Sequence, residues 1–309
     1  RLDLVPRPVW EPKDEGVRRI LLLMVPALFG VSVSQINLLL DTVLASFLPT
    51  GSVSWLYFSD RLAELPLGVF GIAIATVILP NLSAHSAAAR DSHFNTTLDW
   101  ALRCVLIIGV PAAAALILLA KPILITLFQN GALTPRDVEM ASLSLRAYSL
   151  GLVAFMLVKV LAPGYYARKD TKTPVKIGII AMLANMVMNV AFVLPLMYIW
   201  NIGHLGLALA TSLAAFVNAG LLLRGLLREG VYRFHRGWLP HGLRLLVATA
   251  AMCLLVAWLN PGDAQWLAWD WYRRALEMLW LCSLGVATYV GVHLALGTRL
   301  RHLRAPGAL

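Results

Sequence analysis

The chain has 309 residues, 59% hydrophobic and 14% charged, and its 26 Lys and Arg against 16 Asp and Glu give a formal net charge of +10. A soluble domain of this size has about 45–50% apolar and about 25% charged residues, so an ordinary water-soluble core is excluded. Nucleic-acid binding, the usual reading of a basic chain, depends on where the charge lies; here it gathers at one set of helix ends, which excludes that reading too.

The opening stretch RLDLVPRPVWEPKDEGVRR starts at Arg1 and mixes prolines with both signs of charge. It is neither signal peptide nor span, reads as a connecting segment over residues 1–16, and leads us to expect more membrane helices ahead of residue 1. A helix needs about 20 apolar residues to cross the hydrocarbon layer. Eight segments qualify, near 17–48, 53–80, 98–120, 138–165, 174–199, 203–223, 242–259 and 275–297. The predicted fold is therefore an all-α polytopic membrane protein of about eight transmembrane helices. Turn-forming groups such as Pro49-Thr50-Gly51, Asn201-Ile202-Gly203 and Asn260-Pro261-Gly262 separate the spans. Pro26 and Gly30 predict a kink in the first span, and Pro66 with Gly68 and Gly71 predicts a weak point in the second. Cys104, Cys253 and Cys282 lie in three different apolar runs and read as small buried hydrophobes. The seven histidines have no ligand-type spacing, so no metal site is expected.

Lys and Arg set the orientation. Nineteen of the 26 fall at one side, before the first span, in the connectors after the second, fourth and sixth spans, and in the tail. The connectors 49–52, 200–202 and 259–270 have none. Both ends of the chain are therefore expected in the cytoplasm, with anionic lipid headgroups as a partner for the basic side. Trp258, Trp266, Trp269 and Trp271 read as an aromatic belt at the outer interface, with Arg273 and Arg274 at the lip of the last span.

Several charges remain within spans, where each costs at least ~2.5–3.5 kcal/mol on insertion scales. Asp60, Arg61 and Glu64 lie together on the second span, at i, i+3 and i, i+4 spacings that share a face. Beside a breakable helix they suit a moving cavity wall better than a self-neutralising structural triad. Asp41, Asn185, Asn189 and Thr211 lie at similar depth on three other spans. Together they offer oxygen ligands to a monovalent cation, or polar glue between helices. Arg146 reads as a snorkelling side chain one to two turns from the outer end; Lys159 lies deeper and either snorkels or meets an anion. No G-x-S-x-G, Walker loop or H-E-x-x-H occurs, so no enzyme chemistry and no cofactor beyond Na+ or H+ coupling is expected.

SDRLAELPLGVFGIAIATVILPNLS (59–83), YSLGLVAFMLVKVLAPGYYARKDTKTPVK (148–176) and SQINLLLDTVLASFLPTGSVSWLYFSDRL (34–62) closely resemble the MurJ/MviN family, the lipid II flippases of bacterial peptidoglycan synthesis. The family implies fourteen spans in two six-helix lobes across a cavity, plus two C-terminal helices forming a hydrophobic groove. This chain then corresponds to the second lobe (17–226), the two additional helices and a basic tail (227–309). The resemblance makes Arg61 the cavity arginine for the pyrophosphate, with Asp60 and Glu64 as neighbours, and aligns Lys159 with a cavity lysine. Asp41, Asn185, Asn189 and Thr211 fall where some members bind sodium, with Asn189 in place of an expected acid. It implies lipid II flipping across the bacterial inner membrane by alternating access, hinged at Pro26, Gly30 and Pro66, with lipid II, membrane lipids and the peptidoglycan synthesis machinery as partners. The rival readings are an exporter of drugs or another lipid-linked oligosaccharide, an intramembrane transferase using Asp60 and Glu64, and a non-transporting scaffold.

Overall fold

The computed structural model describes residues 14–87, 91–129, 133–235 and 237–298; the segment 1–13 and the tail from 299 lie outside them. Among the described residues eleven α-helices follow one another: α1 (Glu15–Ser46), α2 (Ser52–Pro66), α3 (Ile72–Ala87), α4 (Asp91–Leu118), α5 (Ala120–Phe128), α6 (Pro135–Tyr166), α7 (Lys172–Trp200), α8 (Gly203–Arg228), α9 (Trp238–Leu259), α10 (Asp263–Ala268) and α11 (Trp271–Ala295). Among the described residues, seven helical segments are long and apolar enough to cross a membrane, α2 and α3 counting as one. With the 32-residue α1 they match the eight expected spans. Helix α1 runs through Pro26 and Gly30 without a break in its helical assignment; the side chains at these two positions lie outside the described residues. At Pro66 the expectation takes a definite form. The α-helix stops there and a π-helical turn, Leu67–Gly71, joins α2 to α3, as happens where proline withdraws an amide from the ladder.

Helix α6 is the axis of the bundle. Ala141, Leu145, Leu152, Ala154, Met156 and Val160 on it are completely enclosed, and α2, α3, α4 and α8 pack around it. The closest approach is to α8, where a Cβ at Gly151 would stand 2.6 Å from Ser212 Oγ. That hydroxyl donates to the Ala147 carbonyl at 2.7 Å, so small residues let the backbones touch, as membrane helices require. Helix α7 lies outside α8 and against α1; α9 and α11 pair with each other and lean on α4 and α5.

Among the contacts that hold the α9–α11 pair to the rest are three that the sequence reading missed. At the basic end, buried Asp99 of α4 accepts hydrogen bonds from Tyr232 Oη (2.8 Å) and Trp238 Nε1 (2.7 Å) and ion-pairs with Arg103 at 2.8 Å. Midway, Tyr289 Oη donates to the Ile107 carbonyl at 2.6 Å. At the opposite end the connectors are not plain turns but carry the short helices α5 and α10. Arg274, the fourth residue of α11, lies at the lip of the span as expected but is turned inward and only 8% exposed. Its guanidinium points at the carbonyls of Trp266 (2.8 Å), Leu267 (3.0 Å), Ile125 (3.4 Å) and Gln129 (3.4 Å). It thus caps the C-terminal ends of α5 and α10 together, where the helix dipoles favour a cation. Trp266, expected in an aromatic belt, is instead fully buried and donates to Asn260 Oδ1 at 2.8 Å. Its indole N–H has a partner there, and the belt keeps Trp258 and Trp271, both well exposed. Of the cysteines only Cys104 is buried; Cys253 is partly buried and Cys282 is exposed on α11.

Candidate functional site

Trp55, Leu56, Ser59, Leu62 and Ala63 form the packed face of α2. Tyr57, Arg61 and Glu64 follow one another at i, i+4 and i+7 on its open face. Arg61 Nη1 meets Glu64 Oε2 at 2.7 Å, and the guanidinium lies 5.3 Å from the centre of the Tyr57 ring. Asp60 is only a marginal partner, at 4.0 Å. The expected triad is therefore a pair plus a third group. Arg61 and Glu64 are half-exposed, at 51% and 49%, while Asp60, at 32%, is turned further inward. There it lies in electrostatic reach of Asp41 on α1 and of buried Tyr148 on α6.

Helices α2 and α6 run side by side with a constant offset. Trp55 Nε1 donates to Asp137 Oδ1 at 2.9 Å and Ser59 Oγ lies 2.7 Å from the Ala141 carbonyl, both 82 residues apart. By that offset Glu64 is level with Arg146. The start of α6 at Pro135 puts Arg146 eleven residues in, or about 16 Å at 1.5 Å per residue, deeper than the one to two turns expected. At 100° per residue it points about 140° away from Ala141, and so away from α2. Lys159, by contrast, is eighteen residues from Ala141, five full turns, and shares the face that carries Tyr148. Both cations are exposed and neither has a hydrogen bond or ion pair among the described residues.

Asp41, Asn185, Asn189 and Thr211 come together across α1, α7 and α8. Asn189 Nδ2 donates to Asp41 Oδ1 at 2.7 Å and to Asn185 Oδ1 at 3.0 Å. Asn185 Nδ2 lies 3.3 Å from Thr211 Oγ1, which is 3.1 Å from Asp41 Oδ2. A fifth member, Asn37, one turn before Asp41, donates to Asp41 Oδ2 at 3.4 Å; its i−4 spacing was the signal that could have found it. Tyr148, in electrostatic reach of both Asp41 and Asp60, had no such signal, because its place depends on how α6 packs. Asn185 and Asn189 are each 1% exposed, whereas Asp41 and Thr211 are half-buried and leave the cluster open on one side. One carboxylate and four neutral oxygen-bearing side chains suit a monovalent cation. Two observations support the fit: Asn189 Oδ1 and Asn37 Oδ1 are buried without a hydrogen-bond partner, each a deficit of about 1–3 kcal/mol that a bound cation would relieve.

Residues 1–272 match the family model described as lipid II flippase MurJ. A protein of Vibrio cholerae named a probable lipid II flippase MurJ is 54% identical over 97% of this chain and 56% of its own length. One of Haemophilus influenzae with the same name is 50% identical over 97% of this chain and 59% of its own. This chain thus spans little more than half the length of these relatives. Among solved structures, a lipid II flippase MurJ in an inward closed conformation aligns with a TM-score of 0.72 at 26% identity, covering 93% of this chain and 56% of that one. A MATE structure solved with Br-NRF aligns at 0.54 and 19% identity, a similarity of fold alone.

Proposed function

This chain belongs to the MurJ lipid II flippase family, and on that premise we propose that it forms the second half of a lipid II flippase. In this reading the polyprenyl-linked substrate moves from the cytoplasmic to the outer leaflet of the bacterial inner membrane by alternating access. No covalent step is needed. The basic end of the bundle faces the cytoplasm, where Lys and Arg accumulate in membrane proteins, and proteins of the cell-wall synthesis machinery are its neighbours.

The observation that carries the reading is Arg61, a guanidinium deep in a span with half its surface open. Its pairing with Glu64 leaves donors free, and a planar fork of donors binds a phosphate bidentately. Glu64 holds the fork in place and, with Asp60, keeps the site from becoming a permanent anion trap. Lys159 lies on the face of α6 that carries Tyr148, eleven residues further on, or about 16 Å towards the basic end. It offers a second phosphate contact there as the substrate passes. The π-turn after Pro66 lets the Arg61-bearing half of the span move relative to α3. Asp41 with Asn37, Asn185, Asn189 and Thr211 supplies the coupling-cation site. A charge crossing the membrane field there gains about 2.3 kcal/mol per 100 mV.

The test is complementation by the full-length protein carrying Arg61→Ala or Arg61→Lys, with outer-leaflet lipid II read by an accessibility assay. Loss of export with Ala and partial rescue by Lys is the expected result, since lysine keeps the charge without the fork. Undiminished export with Arg61→Ala would overturn the assignment.

A further inference from the structure

We propose that Asn189 is a reversible ligand whose side-chain amide donates to Asp41 while the site is empty and turns over to present its oxygen to a bound cation. The proposal rests on the reading of the Asp41 cluster as a cation site and adds how that site is opened.

The orientation of the amide is fixed by its neighbours. A carboxylate only accepts hydrogen bonds, so the atom 2.7 Å from Asp41 Oδ1 is the amide nitrogen. Its second proton goes to Asn185 Oδ1 at 3.0 Å. The NH2 group therefore satisfies two oxygens that a bound cation would otherwise hold together. Asn189 Oδ1 is left facing a place where nothing donates to it, buried and unpartnered. Half a turn about the last side-chain bond exchanges the two atoms at no cost in volume. Asn189 Oδ1 then joins Asn185 Oδ1, the Asp41 carboxylate and Thr211 Oγ1 around one point, an all-oxygen set of the kind hard cations prefer.

Without a cation that arrangement sets lone pair against lone pair, so the flipped state exists only when the site is filled. The two states exclude each other. In one, the amide protons neutralise Asp41; in the other, the amide oxygen coordinates. Asn189 and Asn185 form the closed end of the cluster, and half-buried Asp41 and Thr211 form the side from which it fills. An aspartate at position 189 would remove the competing donor and add a charge, so the asparagine sets a weak, readily emptied site.

The experiment compares the full-length protein with its Asn189→Asp and Asn189→Leu variants in detergent. Each is titrated with NaCl, with choline chloride holding ionic strength constant, and the unfolding midpoint is followed, because a ligand that binds the folded state alone raises it. Asn189→Asp should half-saturate at NaCl at least ten times more dilute than the unmodified protein, and Asn189→Leu should show no sodium-specific shift. In 15N-asparagine-labelled protein, the side-chain amide resonance that is missing from Asn189→Leu should move with NaCl and not with choline chloride. If the unmodified protein's midpoint responds to NaCl while that resonance stays fixed, the amide never turns; if its half-saturation matches Asn189→Asp, the amide does not compete. Either result overturns the proposal and leaves the cation site standing. Absence of any sodium-specific shift in the unmodified protein would instead overturn the cation site itself.

Discussion

Replacing Asp99 by leucine removes the acceptor on which two donors from the 229–237 connector and the start of α9 converge. Tyr232 Oη and Trp238 Nε1 both end on the same oxygen, Oδ1, at 2.8 and 2.7 Å, and Arg103 meets Oδ2 at 2.8 Å. Asp99 is 5% exposed, so water does not replace it. Each orphaned buried donor costs about 1–3 kcal/mol, and Arg103, 26% exposed, loses a partly screened ion pair worth less than a fully buried one. We expect a loss of about 3–5 kcal/mol in the fastening of α9 to α4. The loss should be local, since the α6–α8 core is untouched. Asp99→Asn keeps one oxygen for Tyr232 and Trp238 and should lose about half as much. The assay is limited trypsin digestion of the full-length protein in detergent, reading cleavage after Arg233 in the connector. Cleavage should speed up markedly in Asp99→Leu and modestly in Asp99→Asn. Equal cleavage in all three would refute the view that Asp99 holds the connector down.

Arg274→Met keeps the bulk of the side chain but leaves the carbonyls at the ends of α5 and α10 without a donor. A lower unfolding midpoint and faster proteolysis between residues 259 and 271 are expected. Gly151→Ala pushes a Cβ to within 2.8 Å of the Ser212 backbone, and separating α6 from α8 should cost about 1–3 kcal/mol, read as a lower midpoint, whereas Gly178→Ala, with nothing within 4 Å, should not lower it. Asp170 accepts from the Lys172 and Thr173 amides at 3.1 and 3.0 Å at the start of α7, and Asp170→Ala should lose about 1 kcal/mol. Burial works to raise its pKa, but those hydrogen bonds outweigh it and the net shift is downward. Its contribution is therefore complete above the ordinary carboxylate value of about 4 and fades only as pH falls through the depressed folded value. The midpoint difference between the unmodified protein and Asp170→Ala should thus stay constant from pH 7 to 5 and shrink below about 4.

Hydropathy and the placement of Lys and Arg made the spans legible, because the bilayer imposes a length and a charge rule on every segment. Depth arithmetic was equally reliable for Asp41, Asn185, Asn189 and Thr211, which the sequence put in one stratum and the fold joins by hydrogen bonds. What depends on rotation about the helix axis was less legible. Arg146 is deep but points away from α2, and Asp60 turns inward while its neighbour Arg61 faces out. Least legible were the contacts made by connectors. Nothing local to Arg274 says that it will reach four carbonyls in two helices, and nothing around Trp266 distinguishes a buried indole from an interfacial one. Those roles arise only when α5 and α10 meet.

The π-helical turn over Leu67–Gly71 also sets the phase of the span that contains it. Such a turn carries one residue more than an α-turn, so everything before it is rotated by about 100° relative to a plain helix continued from α3. The side of the bundle that Arg61 faces is therefore decided in a turn that begins six residues downstream of it. Deleting Gly68 alone, where even an added Cβ would meet no neighbour within 4 Å, would restore a regular helix and swing Arg61 and Glu64 off their present face without altering either residue.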